Sequence, residues 1–489
     1  MRPSQRLPAG TTPWAASATA AALPRPEDQP TGSPRSRWYR CGAALLVSAA
    51  AAGCTSIAQE PEVAQAWVQA AHEGQWVARA LTDAASCPIL RWRGGSVTMN
   101  TRSQPAVIAP RMGGAQTEVK PAEFAQRSCE AVVPAGARDL HIGRAQIPPS
   151  PAQIERIVLV GDTGCRMKQS DNAFQDCNDP ARWPFAAIAR SAAWLKPDLV
   201  IHVGDLHYRE SPCPRGRPGC AGSPWGYGLD TWEADFFRPA SPLLAAAPWL
   251  FVRGNHESCS RAGVGWHRLF DGRGWAQHLS CEDPQQDRDG DFTEPYALPI
   301  SADTQLIVFD SSFAADRAYN HQDNVFKRYF LQLARVEQLA AAKPHSIFLN
   351  HHPVLGFAGS PSGAPKPGNA GLMSVMQAAA PTRLYAQGID LVLNGHVHLF
   401  EALGFATSHP ATVVLGNSGS AMDGFIAEAA ALHAQPAPDA VVQSFATHPG
   451  FGFASLDRRP TGWSLTAWSV AGQALKRCDI EGQRLHCAP

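Results

Sequence analysis

Neither sign of charge is in excess in this chain: lysine and arginine total 42, and aspartate and glutamate also total 42. That balance excludes a global field that would draw nucleic acid or anionic lipid to the surface, and no nucleic-acid-binding patch is evident. Any phosphate chemistry has to come from a local site. Hydrophobic runs of membrane-spanning length are missing too: the apolar stretch from Cys41 to Gly53 counts thirteen residues, too few to cross a bilayer. No two cysteines show the paired CxxC spacing of a structural zinc site.

What is present defines a folded protein. Hydrophobic residues make up 45% of the 489 positions and charged residues 17%, which supplies a real core and excludes disorder throughout. The length suits two or three ordinary domains, or one large domain with an appendage. Residues 1–40 are rich in proline, alanine, serine and arginine, and the apolar stretch that follows ends in "AAGC" at Cys54. This resembles the lipobox of bacterial lipoproteins, in which the signal is cut before a cysteine that then carries lipid. A buried alanine-rich helix is the plain alternative. Residues 1–54 are therefore expected to be a leader and lipoprotein-type signal, giving an exported protein of the bacterial periplasm or cell envelope, attached to the membrane through Cys54. The ten remaining cysteines are even in number, and their order suggests five local disulfides, because short loops close most readily. Among these, Cys165 with Cys177, Cys213 with Cys220 and Cys259 with Cys281 would brace three motif-bearing loops.

Residues 55–150 carry short period-two fragments between glycines and prolines and read as a small β-rich module. "QIPPSPAQ", from Gln146 to Gln153, reads as a linker to a domain over 151–489. There, β-branched runs ("ERIVLV", "DLVIHV", "PWLFV", "TQLIVF", "HSIFL", "IDLVL", "TVVL") alternate with helical periodicity in "FAAIARSAAWL" and "YFLQLARVEQLAAA". Continuous apolar strands separated by helices predict a layered α/β core with sheets buried on both faces. Ligands in such folds bind at the carboxyl ends of the strands.

Polar residues gather at those ends. Five of them carry "GDTG" (Gly161 to Gly164), "GDLHY" (Gly204 to Tyr208), "GNHE" (Gly254 to Glu257), "NHHP" (Asn350 to Pro353) and "GHVH" (Gly395 to His398). Each has a plain alternative: a turn, a packed tyrosine, a helix cap, a core histidine pair. The histidines of "GHVH" alternate on a presumed strand end, which points both side chains to one side. Five such coincidences in one domain exceed what turns explain. Two aspartates, an asparagine, histidines and a tyrosine are hard-oxygen and imidazole donors, suited to a pair of divalent or trivalent transition ions.

In order and wording these motifs resemble the calcineurin-like metallophosphoesterases, over roughly Ile154 to Ala471. Most of that superfamily reads Asp-x-His in the first motif. Gly164 stands at the histidine's place here, and this chain is similar to the purple acid phosphatase branch, which fills the gap with the tyrosine of Gly-Asp-x-x-Tyr. The resemblance implies a layered β-sandwich flanked by helices. It implies Asp162, Asp205, Tyr208 and His398 at a first metal, and Asp205, Asn255, His351 and His396 at a second. Fe(III) is expected beside the phenolate and a divalent Fe, Zn or Mn ion at the other position. Phe348 replaces the valine of the branch's Val-x-x-His, an apolar exchange. Two such ions lower the pKa of a bound water for attack on phosphorus and neutralise phosphate oxygens. His256 is the candidate proton donor or phosphate contact. Arg253 is placed either at a substrate phosphate or in a surface ion pair, and Glu257 either behind His256 or at a helix start. His352 is read as a supporting, substrate or plain loop residue, His202 as a core histidine, and His207 as facing the cleft. The resulting expectation is an exported binuclear phosphatase of phosphomonoesters. A phosphodiesterase or nucleotidase with the same site is the first alternative, and a non-catalytic envelope binding lipoprotein the second.

Overall fold

The computed structural model describes residues 62–111, 118–276 and 279–488. The expected leader and Cys54 lie outside these residues. Among the described residues, no helix is long and apolar enough to cross a membrane.

Two sheets face each other. Arg156–Val160, Leu199–His202 and Trp249–Phe251 run parallel at the centre of an eleven-stranded sheet; Thr304–Val308, His345–Leu349, Ile389–Asn394 and Ala411–Leu415 run parallel within a seven-stranded one. Period two explains why these strands are apolar throughout. Ile157, Leu159, Leu199 and Ile201 point into the sandwich against Leu306, Ile347, Leu391 and Val413. Val158, Val160 and Val200 point the other way, under the helical layer that includes Phe185–Trp194 and Arg238–Leu244. Each face is covered, so neither can be polar. On the far side, Asn324–Ala340 buries Phe326, Tyr329, Leu333, Val336 and Ala340, at the spacing of one helical stripe, against the seven-stranded sheet. The architecture is helix, sheet, sheet, helix, as the layered expectation required.

The N-terminal region is β-rich, as expected, and it continues the larger sheet. Gln65–Ala70 pairs in parallel with Trp249–Phe251, and Trp76–Thr82, Arg127–Val132 and Asn100–Ser103 follow outward. The sheet thus runs across the boundary expected near residue 150. Buried Arg79 reinforces the join, donating to the carbonyls of Leu269 and Asp271 at 2.7 Å each and pairing with Glu130 at 3.0 Å. Near the C-terminus, Val442–His448 belongs to the smaller sheet and Gly452–Arg458 to the larger, so a short turn crosses the sandwich.

Five disulfides join neighbours in sequence: Cys87–Cys129, Cys165–Cys177, Cys213–Cys220, Cys259–Cys281 and Cys478–Cys487. So many bridges are the mark of a protein that folds outside the cytoplasm.

Buried His202 and half-buried His72 make the fold acid-sensitive. His202, the expected core residue, accepts the Gly204 N–H at Nδ1 (3.2 Å) and faces the Thr163 hydroxyl at Nε2 (2.9 Å), so its bonding requires the neutral ring. Burial, aided by the charge of His351, lowers it to about 3; burial lowers His72, stacked on Tyr296, to about 4. Below pH ~6.5 the unfolded chain takes up these protons and the folded chain does not. This stabilisation is complete above that pH and drains as the pH falls toward the folded values. The urea midpoint of the chelated protein should therefore fall steadily from pH 6.5 to 4, with a shallower fall in His202→Gln. Parallel curves for the two proteins would contradict this account.

Candidate metal centre

The five motifs sit where the two sheets meet. Three follow strands of the larger sheet and two follow strands of the smaller, all at carboxyl ends. Backbone bonds lock the first two loops together, Asp162 N–H to the Gly204 carbonyl (3.0 Å) and Thr163 N–H to that of Asp205 (3.1 Å). Asp162, Asp205 and His396 all have positive φ (53°, 56° and 70°), a conformation costing roughly 1–3 kcal/mol each and characteristic of functional turns. Gly204 relieves the crowding next to them, because a Cβ there would lie 2.4 Å from Nδ1 of His351.

The side chains converge in two groups. Tyr208 Oη lies 2.8 Å from Asp162 Oδ1, 2.9 Å from Asp205 Oδ2 and 2.9 Å from His398 Nε2. His351 Nε2 lies 3.1 Å from Asp205 Oδ2 and 3.1 Å from Asn255 Oδ1, which is itself 3.0 Å from His396 Nδ1. Asp205 Oδ2 belongs to both groups. Its other oxygen is committed, accepting the His256 N–H at 2.8 Å. Two imidazoles are oriented from behind: Nδ1 of His351 donates to the Val203 carbonyl (2.9 Å) and Nδ1 of His398 to that of Ala421 (2.5 Å), which turns each Nε2 inward. His396 is held through its backbone, its N–H donating to Asp162 Oδ2 at 3.0 Å. The two histidines of "GHVH" lie in a turn beyond Ile389–Asn394, not on a strand, and they reach different groups.

The electrostatics suit cations. Burial opposes a charged His351, yet Asp205 overrides it and lifts the ring to about 9; His398 is lifted to about 9 against burial by Asp162 and Asp423. Burial, with Asp162 and Asp205, holds the Tyr208 phenol well above its ordinary range. Among the described residues no lysine or arginine bonds either carboxylate, so nearby groups retain protons instead. Hard oxygens and imidazoles arranged around a shared carboxylate fit two transition ions.

The supporting residues divide. His256 is buried beside the cluster, its ring 3.9 Å from that of Tyr208; Nδ1 lies 2.8 Å from Glu210 Oε1, and Nε2 lies 3.9 Å from Asp205 Oδ2. Glu210 is fixed in turn by Arg261 and by the Tyr227 hydroxyl (3.1 Å). It was invisible in the sequence as a lone acid two residues past Tyr208. Glu257 takes the helix-start role and extends it: at the end of the single turn Asn255–Glu257 its carboxylate accepts the Gly254 N–H, and it also accepts the N–H groups of Asp205, Leu206 and His207, moulding the second motif. His352 packs behind His396 (4.3 Å between rings) and meets the Ser311 hydroxyl at 3.1 Å. Two expectations fail. Arg253 is buried, donating to the carbonyls of Glu257 (2.8 Å) and Gly290 (2.5 Å) and pairing with Asp310 (3.3 Å), so it is neither a surface pair nor free for phosphate. His207 turns away from the cleft, bonding the Thr231 hydroxyl at 2.9 Å and packing against Trp232.

A sandwich of two sheets with such donors at its upper seam defines a metal-dependent phosphoester hydrolase. The family profile described as Calcineurin-like phosphoesterase matches residues 155–400, half of the chain, and the chain belongs to that family. Its members use two metal ions, in keeping with the two donor groups. Similar solved structures include purple acid phosphatase PPD1 from yellow lupin (Lupinus luteus) seeds, 15% identical with a TM-score of 0.52, covering 85% of this chain and 74% of that one. A structure of PhoD is 10% identical with a TM-score of 0.47, covering 87% of this chain and 91% of that one. A dimetal phosphatase from Danio rerio is 10% identical with a TM-score of 0.36, covering 68% and 99%. No curated protein matches significantly.

Gly164 gives a direct test of the packing. A Cβ there would fall 2.8 Å from the Leu206 carbonyl and 2.9 Å from both Asp235 Oδ2 and Tyr208 N. Gly164→Ala is expected to cost roughly 1–3 kcal/mol in urea unfolding, as an overpacking change. An unchanged midpoint would mean that the two loops yield.

Proposed function

We propose that the chain is an exported binuclear phosphatase that hydrolyses phosphomonoesters. Asp162, Asp205, Tyr208 and His398 hold one ion; Asp205, Asn255, His351 and His396 hold the other. The observation that carries this reading is the Tyr208 hydroxyl, within 2.9 Å of donors from three other residues at the place where Gly164 brings no imidazole. A phenolate is a hard anionic donor, which favours Fe(III) at the first position and leaves a divalent Fe, Zn or Mn ion for the second. The likeness in fold to a purple acid phosphatase supports the monoester reading. The disulfides support export, and the "AAGC" ending at Cys54 supports a lipid anchor.

When bound, the ion pair supplies an activated water and screens the phosphoryl oxygens. The chain's own groups do the rest. Asp205 ties the two positions together. Glu210 bonds His256 at Nδ1, which leaves Nε2 facing the cleft to carry a proton to the departing alkoxide or to bind a phosphoryl oxygen. Asp162 and Asp205 both face the Tyr208 phenol, which would have to release its proton to solvent to serve as an anionic donor at the first position.

Metal analysis and a visible spectrum of the purified protein test this first. One iron and one further metal per chain, with a broad band that vanishes in Tyr208→Phe, is the expected result. Two divalent ions and no band would remove the tyrosinate assignment. His256→Ala should lower kcat on an aryl phosphate by about 10²–10⁴ while both metals stay bound. A higher kcat/KM for a bis-aryl phosphate than for the monoester would shift the reading to a phosphodiesterase, and no turnover of either by the metal-loaded protein would point to a binding protein.

A further inference from the structure

One buried carboxylate lies behind Tyr208 and has no part in the reading above. Between Leu229–Trp232 and Arg238–Leu244 the helical path widens into a π-helical turn over Glu233–Phe237. Turns of this kind admit an extra residue and recur at functional sites, because they redirect one side chain. Phe236 and Phe237 of this turn are fully buried and anchored in the aromatic core, with Phe236 set against Trp249, Phe251 and Phe270. Asp235, also fully buried, points from this rigid base toward the metal loops.

Its two oxygens are fully used. Oδ1 accepts the Cys165 N–H (3.0 Å) and Nε–H of Arg209 (2.6 Å); Oδ2 accepts the N–H groups of Tyr208 (2.8 Å) and Arg209 (3.2 Å). One carboxylate thereby fixes the backbone just after the first motif and the backbone of the tyrosine itself. Arg209 extends the clamp: its guanidinium lies 4.9 Å over the Trp183 ring, and the Trp183 indole donates to the Thr163 carbonyl at 2.9 Å, returning to the first motif. Oδ2 of Asp235 also occupies space that a side chain at residue 164 would need. The absence of an imidazole at 164 and the presence of a phenol at 208 therefore meet at a single group.

We propose that Asp235 is the positioning residue that delivers the Tyr208 phenol to the first metal position. The inference rests on the reading of Tyr208 as a metal ligand. A carboxylate is required because all four bonds it makes are accepted; an amide of the same shape would turn an NH2 group against one pair of donors.

The test compares the wild-type protein with Asp235→Asn and with Asp230→Asn, a control at an exposed position on the neighbouring helix. Iron content, second-metal content and the visible band are measured, together with peptide-resolved hydrogen exchange of the chelated proteins. Asp235→Asn should lose roughly tenfold or more in affinity for the first metal, retain the second, weaken or shift the band, and exchange faster in the peptides holding Cys165 and Tyr208. A generally destabilised protein would lose both metals and exchange faster throughout. Should Asp235→Asn fail to fold, Arg209→Gln, which keeps the carboxylate but frees one side of it, is expected to move the band in the same direction. A wild-type band left unaltered in both variants, with iron retained, overturns the role of Asp235 alone. Absence of the band from the wild type overturns the tyrosinate reading and this inference with it.

Discussion

Everything at the upper edge of this molecule is arranged around a single atom, Oδ2 of Asp205. It lies 2.9 Å from a phenol and 3.1 Å from an imidazole that belong to different donor groups. Such an oxygen is aimed at two cation positions at once most securely when its partner oxygen is engaged elsewhere and its backbone is fixed in a turn. Both conditions are met: the His256 N–H takes Oδ1, and φ of Asp205 is 56°. Glu257 maintains that turn from below through three N–H groups of the second motif and one of its own. Two buried acids, Glu257 and Asp235, thus do for this loop what regular hydrogen bonding does for a strand.

The surroundings follow from that demand. No single sheet presents enough strand ends to encircle one atom, and the donors come from both. Satellite packing supplements the core where the loops leave it. Cys165, Cys177 and Cys220 cluster with Met167, with Phe174, Trp183, Cys213 and Trp225 against them, so two disulfides and a few aromatics anchor loops that the sandwich does not reach.

Much of this was legible in the sequence, for physical reasons that also mark where legibility ends. The central strands announce themselves because covering both faces makes every residue apolar. The motif residues stand out because glycine and asparagine precede them at strand ends, and the structure brings all seven candidate ligands together. Both histidines of "GHVH" reach the cluster, but not by the alternation of a strand, since His396 sits at φ 70° in a turn. His207 looked free because its neighbours in sequence are site residues, whereas Thr231 and Trp232, which capture it, lie more than twenty positions on. Asp235 and Glu210 left no signal: a single acid in a helix or loop reads as a solvated residue until its distant partners are known. The N-terminal strands looked separate for a similar reason, because the pairing of Gln69 with Trp249 spans a long stretch of chain.

The position of the donors across the seam has a further consequence for how the molecule opens. Any ion held by Asn255 and His351 joins a loop of the larger sheet to a loop of the smaller one, within a partly buried cluster. Separating the two layers at that end would mean releasing the ion, so occupancy acts as a clasp on the sandwich and adds its binding free energy to the work of unfolding. Conversely, a local opening of the seam would pull the donors of the two sheets apart and loosen their hold on the ion, which ties the affinity of the site to the breathing of the fold.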